Sequence, residues 1–249
     1  MMFKKTGFIY RKISRIAPCV LPGIGQYGLP LSTKYDVASA RDVFLSAHYW
    51  RIFDHLDKAP EIIVDLGSHC GHFSIAANIL IKEKFCEDRA KYILVDPVQK
   101  LARAAERNLK SAGISNFETH IGLVGKIDGT AFVSLDPKNL LKTAACSDSN
   151  QVAVSEFVSK YVNLRDLLPP NAKIDILKID IEGSEYEFVD SYPDLIEKTE
   201  LIAIEAHGTE EQYLNLIKRL ESLGHHEVSQ RIRRGSEMMA LFKKGARRA

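Results

Sequence analysis

The chain has 249 residues, 45% hydrophobic and 27% charged, a globular balance at a length that suits one large α/β domain better than two. Disorder, collagen and a disulfide-stapled mini-protein are excluded as descriptions of the whole, and no apolar run reaches the roughly 18 residues of a membrane-spanning helix. The net charge of +2 hides a polarity: residues 1–15 hold Lys4, Lys5, Arg11, Lys12 and Arg15 with no acid, residues 229–249 hold seven bases against Glu237, and the interior is left acidic.

In chain order, the basic start leads into an apolar stretch, Ile16 to Ile24, cut by Pro18 and Pro22 and followed by no small-residue cleavage site. That disfavours a secretory signal; a short basic amphipathic helix with Phe3, Ile9, Ile13 and Ile16 on one face is expected instead. Cys19, Cys70, Cys86 and Cys146 form no C-x-x-C pair, as suits a reducing cytoplasm. Residues 17–34 are rich in Pro and Gly and read as a connector. The expected organisation is therefore an arm and loop over 1–35 and a single domain over 36–249.

A helix is expected from Asp36 to about Asp57, where Ala40, Val43, Phe44 and Ala47 keep helical spacing. From residue 61 strand and helix alternate. Strands are expected at Glu61–Leu66, Tyr92–Val95, Phe117–Val124, Thr130–Leu135, Ile174–Ile179 and Leu201–Ala206. Helices are expected at Gly71–Lys82, at Val98–Ala112 and after the capping box of Thr209 and Gln212. The polar stretch 136–160 reads as a loop-rich insertion. Two last strand-like runs, 225–232 and 237–243, predict a hairpin.

Strand–helix alternation implies a parallel sheet covered on both faces, with ligands bound beyond the carboxyl ends of the strands. Those ends are Gly67–Gly71, Asp96–Pro97, Gly122–Leu123, Asp180–Glu185 and Glu205–Gly208. The first turn, Asp65-Leu66-Gly67-Ser68-His69-Cys70-Gly71, is neither a G-x-G-x-x-G fingerprint nor a phosphate loop. Asp65 would repel a pyrophosphate and favour an amino group or sulfonium. Asp96 ends the second strand, where a carboxylate can accept from both hydroxyls of a ribose; together the two point to an adenosine ligand. A tight turn with no ligand is the plainer alternative. His69, Cys70 and His72 are too crowded to surround one ion, and His225 and His226 point to opposite faces, so no metal site is expected.

The stretch Asp175-Ile176-Leu177-Lys178-Ile179-Asp180-Ile181-Glu182-Gly183-Ser184-Glu185 resembles the signature of the FkbM family of S-adenosylmethionine-dependent methyltransferases: lysine, a hydrophobic residue, Asp, a hydrophobic residue, Glu-Gly, a small residue, Glu. Val64–Ser74 is similar to the family's cofactor loop. Ile93–Pro97 resembles its second strand, with Asp96 in place of the usual Glu, and Ile202–Glu205 its later one. Leu164-Arg165 departs from the family's Leu-Asp. The resemblance covers about residues 36–208 and leaves out the arm, the insertion and the basic tail.

It implies a Rossmann-like class I methyltransferase: a seven-stranded, mostly parallel sheet with a C-terminal antiparallel hairpin and helices on both faces. It implies S-adenosylmethionine as cofactor. Gly67, Ser68 and Gly71 would lie against the methionine part, Asp65 near the amino end, Asp96 with Pro97 at the ribose, and Gly122 and Leu123 at the adenine. The acceptor would enter over Asp180–Glu185 and His207. It also implies O-methylation of a hydroxyl on a sugar, glycan or secondary metabolite, with Asp180, Glu182 and His207 as candidate bases. His207 has the most suitable unperturbed pKa. Asp180 and Glu182 share a side if the strand continues that far and could instead bind an ion; Glu182 could equally tie down the turn, and Glu185 start a helix. A nicotinamide oxidoreductase and a non-catalytic adenosine-binding protein remain as alternatives, and a nucleic-acid methyltransferase is disfavoured. The basic ends are expected to contact an anionic acceptor, a lipid surface or a neighbouring subunit, which leaves an oligomer open.

Overall fold

The β-branched run after Pro60 forms β1 (Ile62–Leu66), and each later apolar run lays a strand beside it: β2 (Lys91–Asp96), β3 (Phe117–Ile121), β7 (Ile174–Ile179) and β8 (Thr199–His207). These strands are parallel. Three further strands, β4 (Thr130–Asp136), β5 (Asn139–Cys146) and β6 (Glu156–Lys160), stand apart from them. The computed structural model describes residues 20–21, 25–26, 34–45, 49–136, 139–146, 156–229, 232–235 and 237–245. The basic arm, most of the connector and the final Arg247 and Arg248 lie outside the described residues.

The chain ends in the expected hairpin. β9 (His225–Glu227) and β10 (Ile232–Arg234) both pair antiparallel with β11 (Glu237–Lys244). β11 also pairs antiparallel with β8, so the sheet reads β9-β11-β8-β7-β1-β2-β3. Leu66 is level with Val95 and Ile179, Asp96 with Ile121, and Ile179 with Ile204. The carboxyl ends of five parallel strands therefore share one edge.

Both faces are apolar because both are covered, and all six residues of β7 are buried. Successive residues point to opposite faces. Ile63, Ile176 and Leu241 pack with Phe73 of helix α2 (His72–Phe85) and Leu109 of α3 (Gln99–Ser111). Val64, Leu177 and Phe242 pack with Phe188 of α5 (Glu185–Ser191) and Leu216 of α7 (Glu210–Ser222). The Thr209–Gln212 capping box is present at the start of α7. Two short helices, α4 (Leu164–Leu167) and α6 (Pro193–Glu197), complete the second layer. Among the described residues no helix is long and apolar enough to cross a membrane.

Two stretches differ from expectation. In place of one helix from Asp36 to Asp57 stand α1 (Lys34–Ala40), a wider turn at Arg41–Leu45 and a 3-10 helix at Trp50–His55. The Trp50 indole N–H donates to the carbonyl of Val43 at 3.1 Å. That bond ties the start of the 3-10 helix back to the Arg41–Leu45 turn. The stretch 136–160, expected as loops, carries β5 and β6, which flank β4 in a separate antiparallel sheet. Residues 137–138 and 147–155 lie outside the described residues.

Candidate active site

The first turn is wedged between two parts of the protein. Gly67 has φ +68, and a Cβ there would lie 1.7 Å from the Asp180 carbonyl oxygen. Gly71 has φ +78, and a Cβ would come within 2.5 Å of Leu109 Cδ1 on α3. The glycine spacing thus lets the turn lie flat against β7 on one side and α3 on the other. The Gly67 and Ser68 amides both donate to the Val95 carbonyl, which fixes the turn to the end of β2.

Asp65 is 1% exposed. It accepts from the Ser74 hydroxyl at 2.9 Å and pairs with Lys178 Nζ at 3.4 Å. Where the sequence placed a ligand's amino group, the structure puts the ammonium of Lys178. Lys178 is itself buried, donates to the carbonyls of Leu66 and Gly67, and lies 3.4 Å from Asp180 Oδ2. Burial lowers its pKa, but Asp180, Asp65 and Glu205 outweigh burial and raise it. Burial also lifts Asp65, against the opposing pull of Lys178 and Ser74.

Asp96 closes β2 beside the turn. Its Oδ2 accepts the His69 amide at 2.9 Å and its Oδ1 the Val98 amide at 2.8 Å. Burial pushes its pKa up to about 7, against those two hydrogen bonds. Each oxygen keeps a second lone pair, so a ribose diol can still be accepted. His69, at φ +48, leaves both buried ring nitrogens without a hydrogen-bond partner among the described residues. Unmet polar atoms beside an acid at a strand end fit a polar adenosyl ligand. Pro97 follows Asp96 half-buried, while Gly122 and Leu123 are buried at the end of β3. A Cβ on Gly122 would meet Val162 Cγ2 at 2.2 Å. Leu123 exchanges backbone hydrogen bonds with Lys160 and Val162.

The second half of the site stands at the ends of β7 and β8. β7 stops at Ile179, so Asp180 and Glu182 do not continue as a strand. The chain turns through Glu182 at φ +54 and Gly183 at φ +104. Asp180 faces Tyr49 and Lys178, whereas Glu182 turns toward His207, with its Oε2 3.4 Å from Nε2. Glu185 does open α5, and it is also fully buried. Its carboxylate accepts the amides of Ile181 and Gly183 and lies 3.2 Å from His207 Nδ1.

His207 does not keep an ordinary imidazole pKa. Burial alone would lower it, but the hydrogen bond to Glu185 and the charges of Glu185, Glu182 and Asp180 push it up to about 9. Burial and Asp180 push Glu182 up to about 8 and Glu205 to about 7.

Three further residues belong to this cluster. Glu205 shares a face of β8 with His207, two residues on. Lys178 is the buried cation between the two halves. Tyr49, just before the 3-10 helix, places its hydroxyl 3.4 Å from Asp180 Oδ2 and 3.2 Å from Glu205 Oε2. Glu205 was legible as the end of an apolar strand. Nothing in the spacing around Tyr49 pointed to the site.

The Methyltransferase FkbM domain profile matches residues 65–227. The chain belongs to the FkbM methyltransferase family. The matched span runs from Asp65 to Glu227, so it contains the turn, the signature and His207, and leaves Tyr49 outside. No curated protein sequence matches the chain at a significant level. Solved structures similar to this FkbM domain include a putative RNA methyltransferase from Pyrococcus horikoshii, at 13% identity and TM-score 0.48, covering 96% of each chain. An rRNA methylase from Streptococcus thermophilus is 13% identical, with TM-score 0.49, and covers 82% of this chain and 96% of its own. TrmK from M. capricolum, solved with S-adenosylhomocysteine, is 12% identical, with TM-score 0.45, and covers 78% of this chain and 66% of its own.

Proposed function

We propose that this FkbM domain transfers a methyl group from S-adenosylmethionine to a hydroxyl on a sugar, glycan or secondary metabolite. When bound, the cofactor supplies a methyl on a sulfonium, already a good leaving group. The turn at Gly67, Ser68 and Gly71 faces its methionine part, Asp96 with Pro97 its ribose, and Gly122 with Leu123 its adenine. The observation that carries the reading is the meeting of the two halves. Gly67 lies against Asp180, so the cofactor turn and the cluster of Asp180, Glu182 and His207 stand side by side.

The task left to the protein is alignment and proton removal. Holding acceptor and methyl in line is worth roughly 7–11 kcal/mol in favourable cases. Asp180, Glu182 and His207 are the candidates for taking the hydroxyl proton, His207 only above its raised pKa of about 9, and a positioned base adds about 10²–10⁴-fold. The basic ends would hold an anionic acceptor, a lipid surface or a second subunit.

Labelled cofactor offered with sugars, lipid-linked glycans and polyketide alcohols tests the reading. With a verified acceptor, Asp180→Asn is expected to lower kcat at least about 100-fold while S-adenosylhomocysteine still raises Tm. Stabilisation by NAD and not by S-adenosylhomocysteine overturns the methyltransferase reading. Unchanged turnover in Asp180→Asn, Glu182→Gln and His207→Gln overturns the catalytic assignments.

A further inference from the structure

Asp180, Glu205 and His207 each offer one ligand atom, and the three atoms lie within 4.8 Å of one another. The donor set is mixed: two carboxylates and an imidazole. Each group is held from behind by a residue outside the trio. Asp180 is held through Oδ2, by the Tyr49 hydroxyl and by Lys178. Glu205 is held through Oε2, again by Tyr49. His207 is held through Nδ1, by the fully buried Glu185.

The remaining atoms are Asp180 Oδ1, Glu205 Oε1 and His207 Nε2. Among the described residues none of them makes a hydrogen bond; Nε2 lies 3.4 Å from Glu182 Oε2 and 4.0 Å from Glu205 Oε1. An imidazole oriented by a carboxylate on one nitrogen, with the other facing acids, is the arrangement of a metal-bound histidine and its supporting partner. The three side chains are 26%, 23% and 17% exposed, open enough for an ion to enter. Four carboxylates, Asp180, Glu182, Glu185 and Glu205, gather here, and among the described residues Lys178 and His207 are the bases paired with them.

We propose that Asp180, Glu205 and His207 bind a first-row divalent cation, with Tyr49 and Glu185 orienting the ligands and Glu182 beside the site. Carboxylate with imidazole suits Mn²⁺ and its later neighbours, whereas Mg²⁺ prefers oxygen and water alone. Three protein ligands leave positions open, where an acceptor hydroxyl can coordinate, be oriented and pass its proton to Glu182, the candidate base that is not a ligand. The proposal rests on the acceptor-site reading for the cation's purpose, not for its binding.

The test is Mn²⁺ added to the chelator-stripped full-length protein and followed by electron paramagnetic resonance. One bound ion per chain is expected, with a nitrogen coupling from a single imidazole in the wild-type spectrum. Glu205→Gln and His207→Gln are each expected to weaken binding at least about tenfold, and His207→Gln to erase the nitrogen coupling. S-adenosylhomocysteine binding, read by thermal shift on the same samples, reports folding and the methyltransferase reading separately. No Mn²⁺ binding in wild type that still binds S-adenosylhomocysteine overturns the proposal. So does Mn²⁺ binding without imidazole coupling, or with affinity unchanged in both variants. A cluster that retains a primary-amine acceptor and no metal also overturns it, in favour of an ammonium site.

Discussion

At the scale of single residues, two positions carry constraints that the contacts make quantitative. Gly67 combines a left-handed φ with a 1.7 Å approach to the Asp180 carbonyl. Gly67→Ala adds backbone strain and overpacking, each of order 1–3 kcal/mol. It is expected to lower unfolding stability by roughly 3 kcal/mol and to abolish methyl transfer by moving Asp180; urea unfolding and an activity assay check both. His72 is fully buried, with no hydrogen-bond partner for either ring nitrogen among the described residues. Its ring meets the edge of Phe44 at 6.3 Å. Burial, opposed by Asp36 and aided by His69, lowers its pKa to about 4. Below the unfolded value the open chain takes a proton that the folded chain refuses. Stability from this group is therefore whole above pH 6.5 and is lost as pH falls toward 4. His72→Phe removes that loss. The stability of the variant relative to wild type is expected to rise by up to about 3 kcal/mol over that window. A difference that stays flat with pH contradicts it.

At the scale of elements, one buried lysine joins two strand ends. Lys178 on β7 reaches the carbonyls ending β1, the Asp65 carboxylate and Asp180. Lys178→Met leaves Asp65 buried without its counter-ion, which typically costs about 3–5 kcal/mol. Adding Asp65→Asn is expected to return part of that loss, because the stranded charge is gone; a double-mutant cycle by chemical denaturation measures it. The strands and helices around this lysine were legible because their apolar periods are strong: β1, β2, β7 and β8 lie where the runs predicted, and α7 begins at its capping box. The cluster was only partly legible. Asp180, Glu182 and His207 sit in recognisable strand-end positions. Tyr49 is separated from its partners by 131 and 156 residues, and only folding brings them together. The hydrogen bond from the neighbouring Trp50 indole to the Val43 carbonyl leaves no mark in hydrophobic spacing. The strands of 136–160 were missed because the stretch as a whole is mostly polar and reads as loop.

At the scale of the whole molecule, the near-zero net charge divides into an acidic body and two basic ends. Residues 1–15 carry +5, and each base near an anionic surface is worth about 1 kcal/mol before salt screens it over roughly 10 Å. Deleting them is expected to weaken co-sedimentation with phosphatidylserine vesicles, most strongly at low salt. Unchanged vesicle association, acceptor KM and oligomeric state together would make the arm a solubilising tail. The sheet order has a consequence for how this protein comes into being. β11 is synthesised after both β8 and β9, yet it lies between them. At about 5–20 residues per second, the ribosome releases β8 well before its antiparallel neighbour exists. Until Glu237–Lys244 emerges, the apolar run Leu201–Ala206 presents an open hydrogen-bonding edge of the kind that recruits other nascent chains. A chain stalled short of residue 237 is therefore expected to aggregate through the strand bearing Glu205 and His207.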